Sequence, residues 1–384
     1  MAIIKRKIQE SIEKSLFKGK IIIIYGARQV GKTTLAREIQ KKQPDKSAYF
    51  NCDEPDVRTA LTDKTSTEMK AFFGDKKLVI LDEAQRVKNI GLALKLLIDS
   101  FPEIQIIATG SSSFDLSNQV NEPLTGRKYE FFLYPFALEE LIGAYSPLEI
   151  NRLLEQRLVL GMYPEIVLGG NEAAEKLKSI AKSYLYKDVL QFQNIKHSEA
   201  IEKLLQALAL QIGNEVSFNE LAQTAGIDKN TVASYLRILE QAFIIFRLPP
   251  FSRNLRNELK KLRKFYFFDT GVRNALINNF NPLQLRQDIG ALWENFVISE
   301  RLKYNRNNNE EKNIYFWRTL EGKEIDYIED AGGKLSGAEI KWTAEKFRQP
   351  KLFLETYPGS TLRLVNKNSY LGFLTGAQEP DKPK

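Results

Sequence analysis

One cysteine, Cys52, and one histidine, His197, are all that the 384 residues contain of either type. That scarcity excludes a disulfide framework, a zinc cluster and a trustworthy Cys–His dyad, so any metal must sit on carboxylates. No stretch approaches the roughly 18 apolar residues needed to cross a bilayer, so no membrane partner is expected and the chain reads as cytoplasmic. The opening MAIIKRKIQESIEKSLFKGK lacks the continuous apolar stretch of a secretion signal. Its Ile4, Ile8, Ile12 and Leu16 recur at helical spacing and predict an amphipathic helix. What is present is ordinary globular composition, 43% hydrophobic and 27% charged, at a length that suggests two or three domains. Lys and Arg number 56 against 48 acidic residues. A net charge of +8 favours polyanion partners but is shared by many basic enzymes.

Short apolar runs at 21–25, 48–51, 78–81 and 104–108 alternate with helical patterns, which is the mark of a parallel sheet in an α/β domain over residues 1–136. Residues 137–200 read as a helical lid or connector, broken at 146–147, 161–164 and 169–171. A helix, turn and helix follow within 201–254, and 255–384 returns to mixed α/β patterning. That last part holds KFYFFD at 264–269, a long helix at 289–304, and strands at 314–318, 323–328 and 336–342. The run NRNNNEEKN at 305–313 reads as a polar loop.

Directly after the first apolar run comes GARQVGKTT, comprising Gly26, Ala27, Arg28, Gln29, Val30, Gly31, Lys32, Thr33 and Thr34. It satisfies G-x-x-x-x-G-K-[ST], a pattern that a random chain of this length meets about once in a hundred. Its glycines let backbone N–H groups curl round a phosphate, Lys32 reaches the β- and γ-oxygens, and the Thr33 hydroxyl can ligate Mg²⁺. KKLVILDEAQ then supplies a strand ending in Asp82 and Glu83. In that setting Asp82 is the metal residue and Glu83 the base that activates water, the bland alternative being two acids that cap a helix. No N-K-x-D guanine signature occurs, so ATP is favoured. IQIIATGSSS ends in Thr109 and Ser111, candidates for positioning the attacking water, although both types are also common in turns. Two arginines can neutralise charge on the γ-phosphate. Arg28 lies inside the loop, and Arg127 precedes the last strand and can act in cis or from a neighbouring subunit of a homo-oligomer.

In EVSFNELAQTAGIDKNTVASYLRILEQ, Leu221 and Ala222 lie on a first helix, Gly226 marks the turn, and Val232, Tyr235, Leu236 and Leu239 share one face of a second. Ser217 is the expected N-cap of this helix-turn-helix pattern. The following run at 247–264 carries seven basic residues and one acid. Arg253, Arg256, Lys260 and Lys261 are its candidate contacts to DNA phosphates, against the alternative of a solvated linker beside a rigid coupler. Farther on, Glu339 and Lys341 stand two apart on a strand, so they share a face directed toward Asp326 across a hairpin, with Glu294 on the preceding helix completing the group. Carboxylates with a lysine beside them can bind Mg²⁺ and steady water for phosphodiester hydrolysis, so a divalent-ion site is expected there.

YGARQVGKTTLA, LDEAQ, LTGRKYEFFLYPF, GMYPE, YLYKDVL, YFFDTGVRNAL, ALWENFVISE and the EIDYI and AEIKW pair together resemble the prokaryotic AAA-like ATP-binding proteins with a C-terminal domain of unknown function. The resemblance implies a P-loop ATPase domain, a winged-helix segment and a C-terminal domain similar to the restriction-endonuclease-like superfamily. It adds to an expected three-part α/β fold, with a P-loop parallel sheet, a helical and winged-helix middle and a nuclease-like α/β C-terminal domain, and to an expected function, Mg²⁺-dependent ATP hydrolysis that acts on DNA. The alternative is a nucleotide-gated switch that docks a protein partner and carries an inactive nuclease-like domain.

Overall fold

A computed structural model describes residues 3–110, 120, 122–169, 172–183, 198–251, 263–319 and 321–376. Ser111, Arg253, Arg256, Lys260 and Lys261 lie outside these residues. Within the first part, β1 (Ile21–Gly26), β2 (Ser47–Asn51), β3 (Leu78–Asp82), β4 (Gln105–Gly110) and β5 (Lys128–Leu133) form an all-parallel sheet in the order β2-β3-β4-β1-β5. The three inner strands are buried at every position, which is why they read as unbroken apolar runs, whereas the edge strands β2 and β5 are only partly covered. All five carboxyl ends share one edge, and the loops after β1, β3 and β4 meet there. The N-terminal helix is shorter than its periodicity predicts, spanning only Gln9–Lys14. Ile4 is buried ahead of it in a non-helical segment, because the buried Arg6 is spent on contacts with the loop after β1.

Helices Leu138–Ile142, Pro147–Leu160, Pro164–Val167, Ala173–Ser183 and Ser198–Leu210 make up the connector. Pro147 and Pro164 sit in the first turn of their helices, and Ser146 with Glu149 forms a capping box. Next come β6 (Glu215–Val216), helices Phe218–Ala225 and Lys229–Gln241, β7 (Ile245–Leu248) and β8 (Arg263–Phe267). Gly226 turns the chain between the two helices at φ +68°. Ser217 stands at the N-cap of the first helix without a capping bond, while Asp228 caps the second through the amides of Asn230 and Thr231. KFYFFD, assigned by pattern to the C-terminal part, instead gives β8, which pairs with both β6 and β7 in an antiparallel sheet. The helix after it, Thr270–Leu276, packs on Pro147–Leu160 and Ala173–Ser183. The expected division at 254 and 255 lies outside the described residues, and the strands on either side of it, β7 and β8, pair in one sheet.

Helix Ile289–Asn307 leads into β9 (Asn313–Arg318), β10 (Glu324–Ala331), β11 (Lys334–Ile340) and β12 (Thr361–Val365). Their sheet runs β12-β11-β10-β9, antiparallel except for the β11–β12 pair. Gly332 and Gly333, both at positive φ, make the two-residue turn between β10 and β11 that a side chain would strain.

Candidate nucleotide site and C-terminal carboxylate cluster

The loop after β1 is shaped by its glycines. A Cβ on Gly26 would stand 2.2 Å from the Leu133 carbonyl oxygen, and Gly31 holds φ +96° as the N-cap of helix Lys32–Gln40. Lys32 is buried and donates to the carbonyls of Gly26 and Ala27 at 2.9 and 2.8 Å. Arg28 and Gln29 lie in the same loop, Gln29 in the left-handed region at φ +58°. Across from the loop, the buried Asp82 accepts from the Thr33 hydroxyl at 2.7 Å, from the Tyr49 hydroxyl at 2.5 Å, and from the Thr109 hydroxyl. Glu83 follows at φ +53°, with its amide donating to Thr109 Oγ1 at 3.2 Å and its carboxylate accepting from the Gln85 amide. A non-glycine residue held in that conformation is costly, and these bonds over-determine it. Lys32, Thr33, Asp82, Glu83 and Thr109 are thus brought together as the sequence predicts.

Arg127 is not brought there. It precedes β5 at the start of the parallel strands, its carbonyl accepting from Ile21, and its half-exposed side chain pairs with Asp99 at 2.7 Å. The length of β1, about 17 Å at strand rise, separates it from the loop, so it cannot serve the nucleotide of its own chain.

Two residues of this site escaped sequence reasoning. Tyr49 belongs to β2, next to β3 only through the sheet order, and Arg37 lies 4.0 Å over its ring. Burial and then the Asp82 carboxylate push the Tyr49 phenol up, so it stays a donor. Burial and the same carboxylate push the Cys52 thiol up to about 12, which leaves it unreactive. Arg6 is the second. It donates to Val30 in the loop at 2.8 Å, to the Tyr134 carbonyl at 2.5 Å, and to Glu140 at 3.0 Å. No motif marks it, since it sits in an N-terminal basic run.

An apolar cavity of 510 Å³ opens beside Gly31 and Thr34, lined by Ile4, Leu35, Phe136 and Leu168. A larger one of 570 Å³ lies between β5 and the C-terminal part, away from the loop. The Thr33 hydroxyl and Asp82 carboxylate form a hard-oxygen pair suited to Mg²⁺.

The second cluster assembles where the middle and C-terminal parts meet. Lys341 lies 3.3 Å from Asp326 and 3.0 Å from Glu339, as the spacing predicts, and the Ile340 amide donates to Asp326 at 2.7 Å. Glu294 accepts instead from Tyr266 at 2.5 Å and from Lys264 at 3.2 Å, and Lys264 also pairs with Glu324 at 2.5 Å. Burial pushes the Glu294 carboxyl up to about 7, with Lys264 opposing. Burial alone would lower Lys264, but Glu294 and Glu324 hold it above its ordinary value. Burial, then Asp326, raises Glu339. Among the described residues no group of three or more carboxylate, thiol or imidazole side chains is arranged to hold a metal ion. The expected trio does not fit a cation as it stands, because Lys341 bridges Asp326 and Glu339 while Glu294 is paired with Lys264. Lys264 went unrecognised because it closes a basic run and Tyr266 because it reads as part of an apolar strand, although their alternation in KFYFFD puts both on one strand face.

Residues 18–142 match the model of an AAA domain, and residues 151–283 and 289–370 match two domains of unknown function, DUF8612 and DUF4143. An uncharacterized protein of Mycobacterium tuberculosis is 28% identical over 350 residues, 90% of this chain and 75% of that one. One from Methanocaldococcus jannaschii is 28% identical over 342 residues, 84% of this chain and 74% of its own. Among solved structures, the Thermotoga maritima RuvB Holliday junction branch migration motor aligns with 67% of this chain and 95% of its own, at 15% identity and a TM-score of 0.33. Among the described residues no helix is long and apolar enough to cross a membrane.

Proposed function

We propose that this chain, whose first part is an AAA-like P-loop ATP-binding domain, is a Mg²⁺-dependent ATPase that couples nucleotide turnover to a conformational change acting on DNA. The observation that carries the reading is Asp82, whose carboxylate gathers the hydroxyls of Thr33, Tyr49 and Thr109 next to the phosphate loop. Lys32, freed from the Gly26 and Ala27 carbonyls, turns to the β- and γ-phosphates. Thr33 and Asp82 would hold Mg²⁺, which would neutralise phosphate charge. Glu83 takes the proton of the attacking water, and Thr109 with Ser111 orients that water. The apolar cavity beside Gly31 and Thr34 suits a nucleobase. Arg127 can reach only a nucleotide bound by a second copy, which would make the assembly a homo-oligomer.

A chain of contacts supports coupling from the loop to the C-terminal part. Arg6 joins Val30 to Glu140 in helix Leu138–Ile142, whose Leu138 amide donates to Glu300 at 2.6 Å, while Lys303 bonds both Glu300 and the Phe136 carbonyl. Glu300 and Lys303 share helix Ile289–Asn307 with Glu294. The proposed organisation is an ATPase domain to about residue 136, a helical connector, a winged helix that extends through β8, and a restriction-endonuclease-like C-terminal domain. Arg253, Arg256, Lys260 and Lys261 serve DNA phosphates. One observation favours a second reading, a nucleotide-gated switch with an inactive nuclease-like domain: Lys264 fills part of the carboxylate cluster. ATP turnover measured with and without single-stranded, duplex and branched DNA, alongside sizing of the ATP-bound particle, separates the two. Stimulation by DNA supports the first reading, and indifference to all three forms supports the switch.

A further inference from the structure

We infer that Asp269, at the corner between β8 and helix Thr270–Leu276, is a positioning residue of the nucleobase cavity and holds the wall made by Phe136 and Pro164 from the middle region of the chain. The inference rests on reading the apolar cavity beside Gly31 and Thr34 as the seat of the base. That cavity has walls of two origins: Ile4, Val30 and Leu35 come from the first part, whereas Pro164 and Leu168 come from the connector. The turn at 161–164 sets the connector wall, and Asp269 holds that turn. One oxygen of its buried carboxylate accepts from the Met162 amide at 2.6 Å, while the other accepts from the Val272 amide at 3.0 Å and caps helix Thr270–Leu276. The Met162 carbonyl in turn accepts from the Phe136 amide at 2.9 Å, and Phe136 lines the same cavity. A single carboxylate thus fixes a cavity residue on either side of Met162.

Two glycines let the segments meet this closely. A Cβ on Gly161, which holds φ +73°, would stand 2.1 Å from Asp269 Oδ1, and a Cβ on Gly271 would stand 2.3 Å from the Leu160 carbonyl oxygen. Neighbouring side chains complete the joint by serving the last carbonyls of helix Pro147–Leu160, which its own backbone leaves without donors. The Thr270 hydroxyl donates to the Arg157 carbonyl at 3.3 Å, and the Asn274 amide donates to those of Leu158 and Val159 at 3.2 and 2.8 Å. Among the described residues no cation pairs with Asp269, so its charge is met by backbone amides, those of Met162, Val272 and Gly271, rather than by a flexible side chain. On the other side, Asn295 of helix Ile289–Asn307 brackets Phe267, accepting from its amide at 2.8 Å and donating to its carbonyl at 2.9 Å. A base seated against Phe136 and Pro164 therefore leans on a joint that runs through Asp269 and β8 to the long C-terminal helix.

The test compares ADP with inorganic pyrophosphate, the same phosphates without the nucleoside, by calorimetry on the full-length protein. Asn is itself a favoured N-cap, so Asp269→Asn keeps Val272 with its one oxygen and turns an amino group toward the Met162 amide. The parent should bind ADP at least about 100-fold more tightly than pyrophosphate, and Asp269→Asn should lose about tenfold of that preference while its pyrophosphate affinity stays within about threefold. Should the variant fail to fold, hydrogen exchange in the parent decides: ADP, but not pyrophosphate, should slow exchange in peptides covering 160–164 and 267–272 by at least about threefold, and equal protection by both ligands, or by neither, would overturn the inference. Folded Asp269→Asn that keeps the parental preference, or that loses affinity for both ligands alike, would overturn the positioning role and leave the cavity reading intact. A parent that binds ADP and pyrophosphate equally would overturn the nucleobase reading of the cavity, and this inference with it.

Discussion

Arg6→Met tests whether the N-terminal segment is part of the nucleotide site. The guanidinium group is buried, pairs with Glu140 at 3.0 Å, bonds the Val30 and Tyr134 carbonyls, and lies 4.7 Å from the centre of the Phe136 ring. Glu140 is equally buried, its side chain 1% exposed, and without Arg6 it keeps only the amides of Lys7 and Ala137. Removing one partner of a buried pair leaves an uncompensated charge, at a cost of about 3–5 kcal/mol. Local opening of the phosphate loop should become easier by a similar amount. Hydrogen exchange in peptides covering 25–36 should therefore accelerate by on the order of 10²- to 10³-fold, provided the loop opens locally rather than with the whole domain. Adding Glu140→Gln removes the stranded charge, so the double variant should exchange more slowly than the sum of the two single effects requires. Exchange within threefold of the parent in Arg6→Met, or strict additivity in the double variant, would refute the clamp.

Thr109→Val removes a donor to Asp82 and the acceptor for the Glu83 amide, so kcat should fall about 10–100-fold with KM for ATP little changed; unaltered kcat would contradict the positioning role. The two acids around pH 7 and pH 2 give opposite stability slopes. Glu294 titrates at about 7 when folded against an ordinary 4.5, so it holds its proton more tightly when folded, and stability should fall on the order of 3 kcal/mol as pH rises from 4.5 through 7. Glu329, which burial would raise but which the Arg301 fork at 2.6 and 2.9 Å holds down at about 2, contributes a similar amount above pH 4.5 that is lost as pH falls toward 2. Denaturant titrations across pH should show the first slope flattened in Glu294→Gln; an unchanged slope there would exclude that group as its source. Neutralising Arg253, Arg256, Lys260 and Lys261 together should weaken DNA binding and flatten its salt dependence, and a variant with parental affinity and slope would remove that segment from the interface.

The parts of this fold that were legible in the sequence are those set by local pattern. β1, β3 and β4 are buried on both faces, so they appear as apolar runs, and the phosphate loop follows from glycine spacing that no other backbone can imitate. Asp82 and Glu83 announced themselves by ending a strand. Glu339, Lys341 and Asp326 met as strand alternation requires. What stayed hidden depends on which strands and domains become neighbours. Tyr49 reaches Asp82 because β2 lies beside β3, Arg6 because the N-terminal segment folds back on the loop, and Lys264 because β8 of one sheet abuts β10 of another. Arg127 shows the converse: it adjoins the sheet in sequence, but parallel strands separate their two ends by their full length, so of its two expected roles only the one in a neighbouring subunit suits its position.

The central claim, ATP hydrolysis with Glu83 as base, is tested most directly by measuring ATP affinity and single-turnover hydrolysis in Glu83→Gln beside the parent and Lys32→Ala. Glu83→Gln should bind ATP with parental affinity and hydrolyse it at least about 100-fold more slowly, while Lys32→Ala should lose turnover chiefly through lost binding. Hydrolysis by Glu83→Gln at close to the parental rate would contradict the account.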